Sequence, residues 1–278
     1  MRNDLITQVM KAETERRLNV LRELLQWEVI ASLYKSEAFS RVAFIGGTSL
    51  RLLHGLGRFS EDLDFSTIGD GDVDRDMLMR WGRNIKKGMA RYALAGVEFN
   101  VGDGTGSVLS ADVRFAGIMK YVGLSPMESA KLRIKIEIDT NPPDGANLDK
   151  IVATTPDSSL ISVGTYDLES LMAGKIHALL ARPYTKGRDW YDLLWYAGNK
   201  IEPNLIMLDN ALGQIPSQWC EDAGQWREGV RELASCTDWP LVVQDVGRFL
   251  EDGREAEMLN EHTVLGALRN QEIGRAHV

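Results

Sequence analysis

The segment from Phe44 to Phe65 constrains this chain most. An apolar run of strand length, Val42 to Ile45, meets a Gly46-Gly47 turn, and Thr48 opens a short amphipathic helix. After Gly55 and Gly57 a second strand carries Asp62 and Asp64. Side chains two apart in a strand share a face, so the two carboxylates lie side by side while Leu63 and Phe65 point the other way. Adjacent carboxylates repel unless a cation lies between them, and hard oxygen donors suit Mg²⁺, with Mn²⁺ as the alternative. The glycines allow close approach of backbone, and the free N–H groups of a helix start are suited to a phosphate. A phosphate cradle and a carboxylate pair one helix apart is what phosphoryl or nucleotidyl transfer requires. Each piece alone has a plainer reading, a simple turn or a solvated strand edge; the combination is what carries weight.

The chain has 278 residues, 44% hydrophobic and 26% charged, enough for one large domain or two modest ones with an ordinary soluble composition. No apolar run approaches the length of a membrane span, and the N-terminus lacks the apolar region of a signal peptide. Cys220 and Cys236 have no metal-ligand spacing and read as two buried free thiols of a reducing cytoplasm. The formal charge of −8 argues against a nucleic-acid partner until it is divided. Residues 201–278 hold six Lys/Arg against fourteen Asp/Glu, so the first two hundred are neutral. Within them Arg75, Arg80, Arg83, Lys86, Lys87 and Arg91 form one basic segment and Lys131, Arg133 and Lys135 another. A solvated helix face and an RNA-facing patch are both open for the first.

Along the chain, Leu5 to Tyr34 has helical periodicity, and Asp74 is placed to cap a basic helix reaching to about Ala95. Strands are expected at Val97–Val101, Ala111–Phe115 and Lys131–Thr140, with Gly102–Ser107 as a hairpin loop. The third alternates strictly: Leu132, Ile134, Ile136 and Ile138 face one side, and Lys131, Arg133, Lys135, Glu137 and Asp139 the other. Glu137 is then a functional acid, with Asp139 the rival, or an acid neutralised by its lysine neighbours. Residues 144–165 look like a crossover with a short strand at Ser158–Val163. A helix from Asp167 to Ala181 follows. At about 100° per residue Lys175 falls inside the arc of Leu168, Leu171, Met172, Ile176 and Leu179. A lysine there costs desolvation unless an anion meets it or its head snorkels out. The next helix opens with Arg188, Asp189 and Asp192, where Asp192 is part-buried and paired. Further helices with turns at Pro203, Pro216 and Pro240 are expected, and residues 273–278 look like a translated sequencing adaptor.

The strand, Gly46-Gly47-Thr48, the helix and the run Arg58-Phe59-Ser60-Glu61-Asp62-Leu63-Asp64-Phe65 together resemble the minimal nucleotidyltransferases, specifically the AbiEii/AbiGii toxins of type IV toxin–antitoxin systems. The Lys175 helix and the Arg188-Asp189-x-x-Asp192 block extend the resemblance to about Leu194. It implies an α+β fold: a nucleotidyltransferase-like mixed sheet with flanking helices over residues 1–165, then a mainly helical region over 166–272. It implies an NTP substrate, transfer of its NMP to an RNA, with a tRNA 3′ end as acceptor, a block of translation, and a cognate antitoxin. In that scheme Gly46, Gly47, Thr48, Arg58 and Ser60 hold the triphosphate, Arg58 alternatively bracing the Asp62 strand. Asp62 and Asp64 hold Mg²⁺ with Glu137 as third carboxylate. Lys175 neutralises phosphate charge and Asp192 orders that lysine or activates the acceptor, Arg188 and Asp189 being weaker candidates. Two rivals remain: transfer to a small molecule or a protein hydroxyl, and a degenerate binding or antitoxin-like module. A haloacid-dehalogenase phosphatase is excluded, because Arg58-Phe59-Ser60-Glu61 is not the apolar strand that must precede its first aspartate.

Overall fold

A computed structural model describes residues 2–69, 72–89, 96–102 and 106–275, with side chains from residue 7 to 269. The chain divides into two units, the first made of residues 1–55, 59–142 and 149–165, the second of 56–58, 143–148 and 166–278.

The first unit holds helices α1 (Arg2–Lys11), α2 (Arg17–Lys35), α3 (Gly46–His54), α4 (Arg75–Met89) and α5 (Ile118–Tyr121). Its strands are β1 (Val42–Ile45), β2 (Leu63–Thr67), β3 (Val97–Val101), β4 (Val108–Ala116), β5 (Lys131–Asp139), β6 (Leu148–Thr154) and β7 (Leu160–Tyr166). They form one mixed sheet in the order β3-β4-β5-β2-β1-β7-β6. β1 runs antiparallel to β2 and parallel to β7, while β2 runs parallel to β5. The expected alternation of β5 is present: Leu132, Ile134, Ile136 and Ile138 are buried in one core cluster with Leu63 and Phe65 of β2, Leu25 and Val29 of α2, and Leu78, Trp81 and Ile85 of α4. The polar residues between them are left on the opposite face.

Asp74 does cap α4, its Oδ1 accepting from the Met77 N–H at 2.7 Å. The expected last turn of that helix, and parts of the loops at 69–72 and 102–107, lie outside the described residues. The short strand expected at Ser158–Val163 is β7, and the segment 144–165 does carry the chain across the sheet from β5 to its far edge. It supplies two strands, and β6 escaped notice because nearly all of it is exposed at the sheet edge, so its sequence has no apolar alternation.

The second unit is helical: α6 (Leu168–Ala181), α7 (Gly187–Gly198), α8 (Leu205–Gln214), α9 (Trp226–Cys236), α10 (Trp239–Gly247) and α11 (Glu261–Arg275). Asp167 caps α6 through the Ser170 N–H, and Asn204 caps α8 through that of Met207. Pro240 sits in the first turn of α10, where a missing N–H costs nothing, rather than in a joint between helices. The last three residues of the suspected non-native tail lie outside the described residues.

Candidate active site

In the first unit the turn into α3 and the start of β2 meet. Gly46 has φ +77°, and a Cβ built on it would lie 2.5 Å from Asp64 Oδ2, so glycine is required twice over. The parallel register pairs Asp64 with Glu137, setting two carboxylates side by side on neighbouring strands. Asp62 lies one residue before β2 rather than within it. It is held from several sides: the Thr48 hydroxyl donates to its carbonyl, and Gln26 Nε2 donates to the carbonyls of Ser60 and Glu61 at 3.2 and 3.0 Å. Arg22 pairs with Glu61 at 3.3 Å. Thr48 spends its buried hydroxyl on backbone, so what it offers an anion is the N–H that the helix start was expected to present. Ser60 is half-buried beside this run.

Glu137, expected as a third metal ligand, already has a cation. Lys135 Nζ lies 2.5 Å from its Oε1, two residues back on the same face. The Lys135 ammonium is pushed above its ordinary value, first by that hydrogen bond and further by the charges of Glu137 and Asp62, which places Asp62 within reach of the same face. Asp139, the rival acid, accepts from the Asn141 N–H at 2.9 Å in the turn that ends β5. Among the described residues no three His, Cys, Asp or Glu side chains converge as a metal cluster. Asp62 and Asp64 nevertheless suit Mg²⁺, which takes one or two carboxylates and completes its shell with water and substrate phosphate.

The second unit contains a buried charge network built on α6 and α7. Arg58 and Asp192, 134 residues apart, form a bidentate pair with both contacts at 2.6 Å, at 2% and 0% side-chain exposure. Lys175 Nζ lies 2.8 Å from Asp189 Oδ1 and 2.9 Å from Asp192 Oδ2. Arg182 closes the chain on the second oxygen of Asp189. Burial pulls the Lys175 ammonium down, but Asp189 and Asp192 outweigh it and hold the pKa above its ordinary value. Burial likewise raises the Asp189 carboxyl, and Lys175 and Arg182 more than reverse that. Three cations on two carboxylates leave one surplus positive charge. Lys175 thus lies on the inward arc expected of it, met by anions of the protein itself. Arg58, expected either at a phosphate or bracing the Asp62 strand, is buried and paired with Asp192. It braces α7, and an isolated bridge to Leu250 holds its backbone. Arg188 stacks on the Phe249 ring at 4.5 Å.

Sequence reasoning passed over Gln26 and Arg182. Gln26 had a signal, a polar side chain on the same helix face as Leu18 and Val29, but an amide there suggests nothing without knowing that the Asp62 segment runs past it. Lys135 answers the other expectation for Glu137, an acid neutralised by its lysine neighbours.

A helix start set against a carboxylate on the next strand of a mixed sheet is the arrangement expected of a nucleotidyltransferase, and the family match makes this chain one. It belongs to the nucleotidyl transferase AbiEii toxin family of type IV toxin–antitoxin systems, whose family model matches residues 28–235. The fold is shared with JHP933 from Helicobacter pylori at a TM-score of 0.55 and 18% identity, over 93% of this chain and 95% of that one. It is shared also with MenT4, a nucleotidyltransferase toxin from Mycobacterium tuberculosis, at 0.55 and 17%, over 98% and 88%. No curated protein matches in sequence. Membership of this family makes the chain a toxin nucleotidyltransferase, with an NTP as substrate, and implies a cognate antitoxin. No described helix is long and apolar enough to cross a membrane.

Proposed function

We propose that the chain transfers a nucleoside monophosphate from an NTP to the 3′ hydroxyl of a tRNA and so blocks translation. The observation that carries the reading is the Asp64–Glu137 register beside the Gly46 turn, which sets two carboxylates against a helix start that no side chain of its N-cap residue caps. The N–H groups of Gly46, Gly47 and Thr48 bind the triphosphate at the positive end of α3. Asp62 and Asp64 would hold Mg²⁺, which when bound offsets the charge gathering on the phosphates. The acceptor oxygen attacks the α-phosphorus, the bond to the bridging α–β oxygen breaks, and pyrophosphate leaves with the electron pair. Glu137 takes the hydroxyl proton. Lys175, the surplus cation of its network, neutralises negative charge developing on the phosphates. Asp192 orders Lys175 and is too enclosed to reach an acceptor.

Incubation with total tRNA, Mg²⁺ and each α-³²P-labelled NTP in turn tests the proposal, with Asp64→Ala and Lys175→Ala in parallel. Label on tRNA, lost in both variants, is the expected result. Label on a protein or small molecule in place of tRNA would refute the acceptor and leave the chemistry. The absence of transfer to any acceptor would refute both.

A further inference from the structure

The basic helix α4 presents cations that the fold does not use. Its apolar side, Leu78, Trp81, Ile85 and Met89, is buried, while Arg80, Arg83, Lys86 and Lys87 are exposed. Arg80, Arg83 and Lys87, spaced by three and four residues, share one strip of the helix surface. Among the described residues these three make no ion pair and no side-chain hydrogen bond. Asp76, four residues before Arg80 and well placed to pair with it, does not. The contrast with the neighbouring sheet is plain, where Arg114, Lys131, Arg133 and Lys135 each have a carboxylate within 2.9 Å. From Met77 to Val97 the chain contains no Asp or Glu at all, although it carries forty elsewhere. Like charges three and four residues apart weaken a helix. An acidic protein that keeps such a strip free of counter-charges has left it for a polyanion.

The strip is also rigidly mounted. Gly82 lies so close to β3 that a Cβ there would be 2.2 Å from the Phe99 ring, Asn84 donates to Ser36 Oγ at 3.0 Å, and Arg75 ties the start of the helix to the Gly102 carbonyl at 2.6 Å. Arg80 to Lys87 spans about 10 Å of helix axis, the reach of a few successive phosphates.

We propose that the Arg80–Arg83–Lys87 face of α4 is the docking surface for the phosphate backbone of the acceptor RNA, fixing its body while the 3′ end is modified. The proposal rests on the RNA-acceptor reading above. It requires charge and not base recognition, so it acts on affinity for RNA and not on the chemical step.

The test measures binding of total tRNA by fluorescence anisotropy between 50 and 200 mM salt, alongside transfer, for the wild type and the triple variant Arg80→Gln/Arg83→Gln/Lys87→Gln. All three sites are exposed, and a thermal melt verifies the fold. Loss of three phosphate contacts lowers the slope of log affinity against log salt by about 2 to 3. Over this fourfold range of salt the wild type then loses roughly 16- to 64-fold more affinity than the variant. KM for tRNA rises while the rate at saturating tRNA is kept, and Arg80→Lys/Arg83→Lys retains the wild-type slope. An unchanged slope in the triple variant, with wild-type labelling intact, overturns the docking surface and leaves the transferase reading standing. A wild type that binds tRNA through this face yet labels none sinks the transfer reading and keeps the surface. Failure of the wild type to bind tRNA, or binding only to phosphatidylserine vesicles, overturns the surface.

Discussion

The buried network of the second unit separates a structural charge from a surplus one, and two substitutions should divide them cleanly. Asp192→Asn removes the anion that faces Arg58 on one side and Lys175 on the other. Arg58 is 2% exposed and both of its contacts to Asp192 are at 2.6 Å, so the guanidinium stays buried with its main counter-charge gone. Breaking a buried pair from one side costs about 3–5 kcal/mol. That is a large share of the roughly 5–15 kcal/mol that holds a domain together. At roughly 2–4 °C per kcal/mol the melting temperature falls by about 6–20 °C. Lys175→Met is the opposite case. The aliphatic stem keeps its packing, and each carboxylate retains an arginine, Asp192 with Arg58 and Asp189 with Arg182. Two cations then balance two anions, so stability should change by only about 1 kcal/mol. Transfer should nonetheless fall by about 10²–10³-fold, the scale of losing one preorganised group that stabilises developing charge. Thermal and urea unfolding give the first quantity and initial rates with labelled NTP the second. The reasoning fails if Lys175→Met destabilises as much as Asp192→Asn, since the lysine would then be a structural counter-ion. It fails equally if Lys175→Met transfers at the wild-type rate.

Three further outcomes follow from the same geometry. Gly46→Ala forces a side chain into a left-handed backbone, costing about 1–2 kcal/mol, and drives a methyl against Asp64 Oδ2. A drop of a few degrees in melting temperature should therefore accompany at least a tenfold loss of transfer, which an unshifted Asp64 in a crystal structure of the variant would contradict. Glu137→Gln, at a third-exposed site, should leave the melt unchanged but slow transfer by about 10²–10⁴-fold, and a near-normal rate would remove Glu137 from the chemistry. The pH dependence of urea midpoints should show both arms of the network. The depressed Asp189 carboxyl contributes stability that is present above its unfolded value of about 3.9 and is lost as pH falls through its lower folded value. The raised Lys175 ammonium contributes stability present below about 10.4 and lost as pH rises through its higher folded value. In Asp189→Asn the acid arm should shrink, and an unaltered acid arm would show that the carboxyl is not what titrates.

What could be read from the sequence was local, and what could not was long-range. Gly46, Asp64 and the alternation of β5 announced themselves because a turn, a two-residue period and a strand are written in consecutive residues. That Glu137 stands beside Asp64 depends on β5 pairing in parallel with β2 across more than sixty residues, and the polar face of β5 is the same whichever strand lies next to it. The edge strand β6 had no pattern to read, because a strand exposed on nearly every residue is under little demand to alternate. Lys175 shows the same limit from the other side. Its place on the apolar arc of α6 demanded an anion, which the sequence could state, but a phosphate and a protein carboxylate satisfy that demand equally. The structure supplies Asp189 and Asp192, and then supplies Arg58 and Arg182 to meet those two carboxylates in turn. If the lysine were there only to be neutralised, Asp192 and Asp189 would need no arginines. A network that gives both carboxylates a guanidinium each, and keeps the lysine as well, holds one positive charge more than its own anions require. That charge is what the proposed role of Lys175 in transfer draws on.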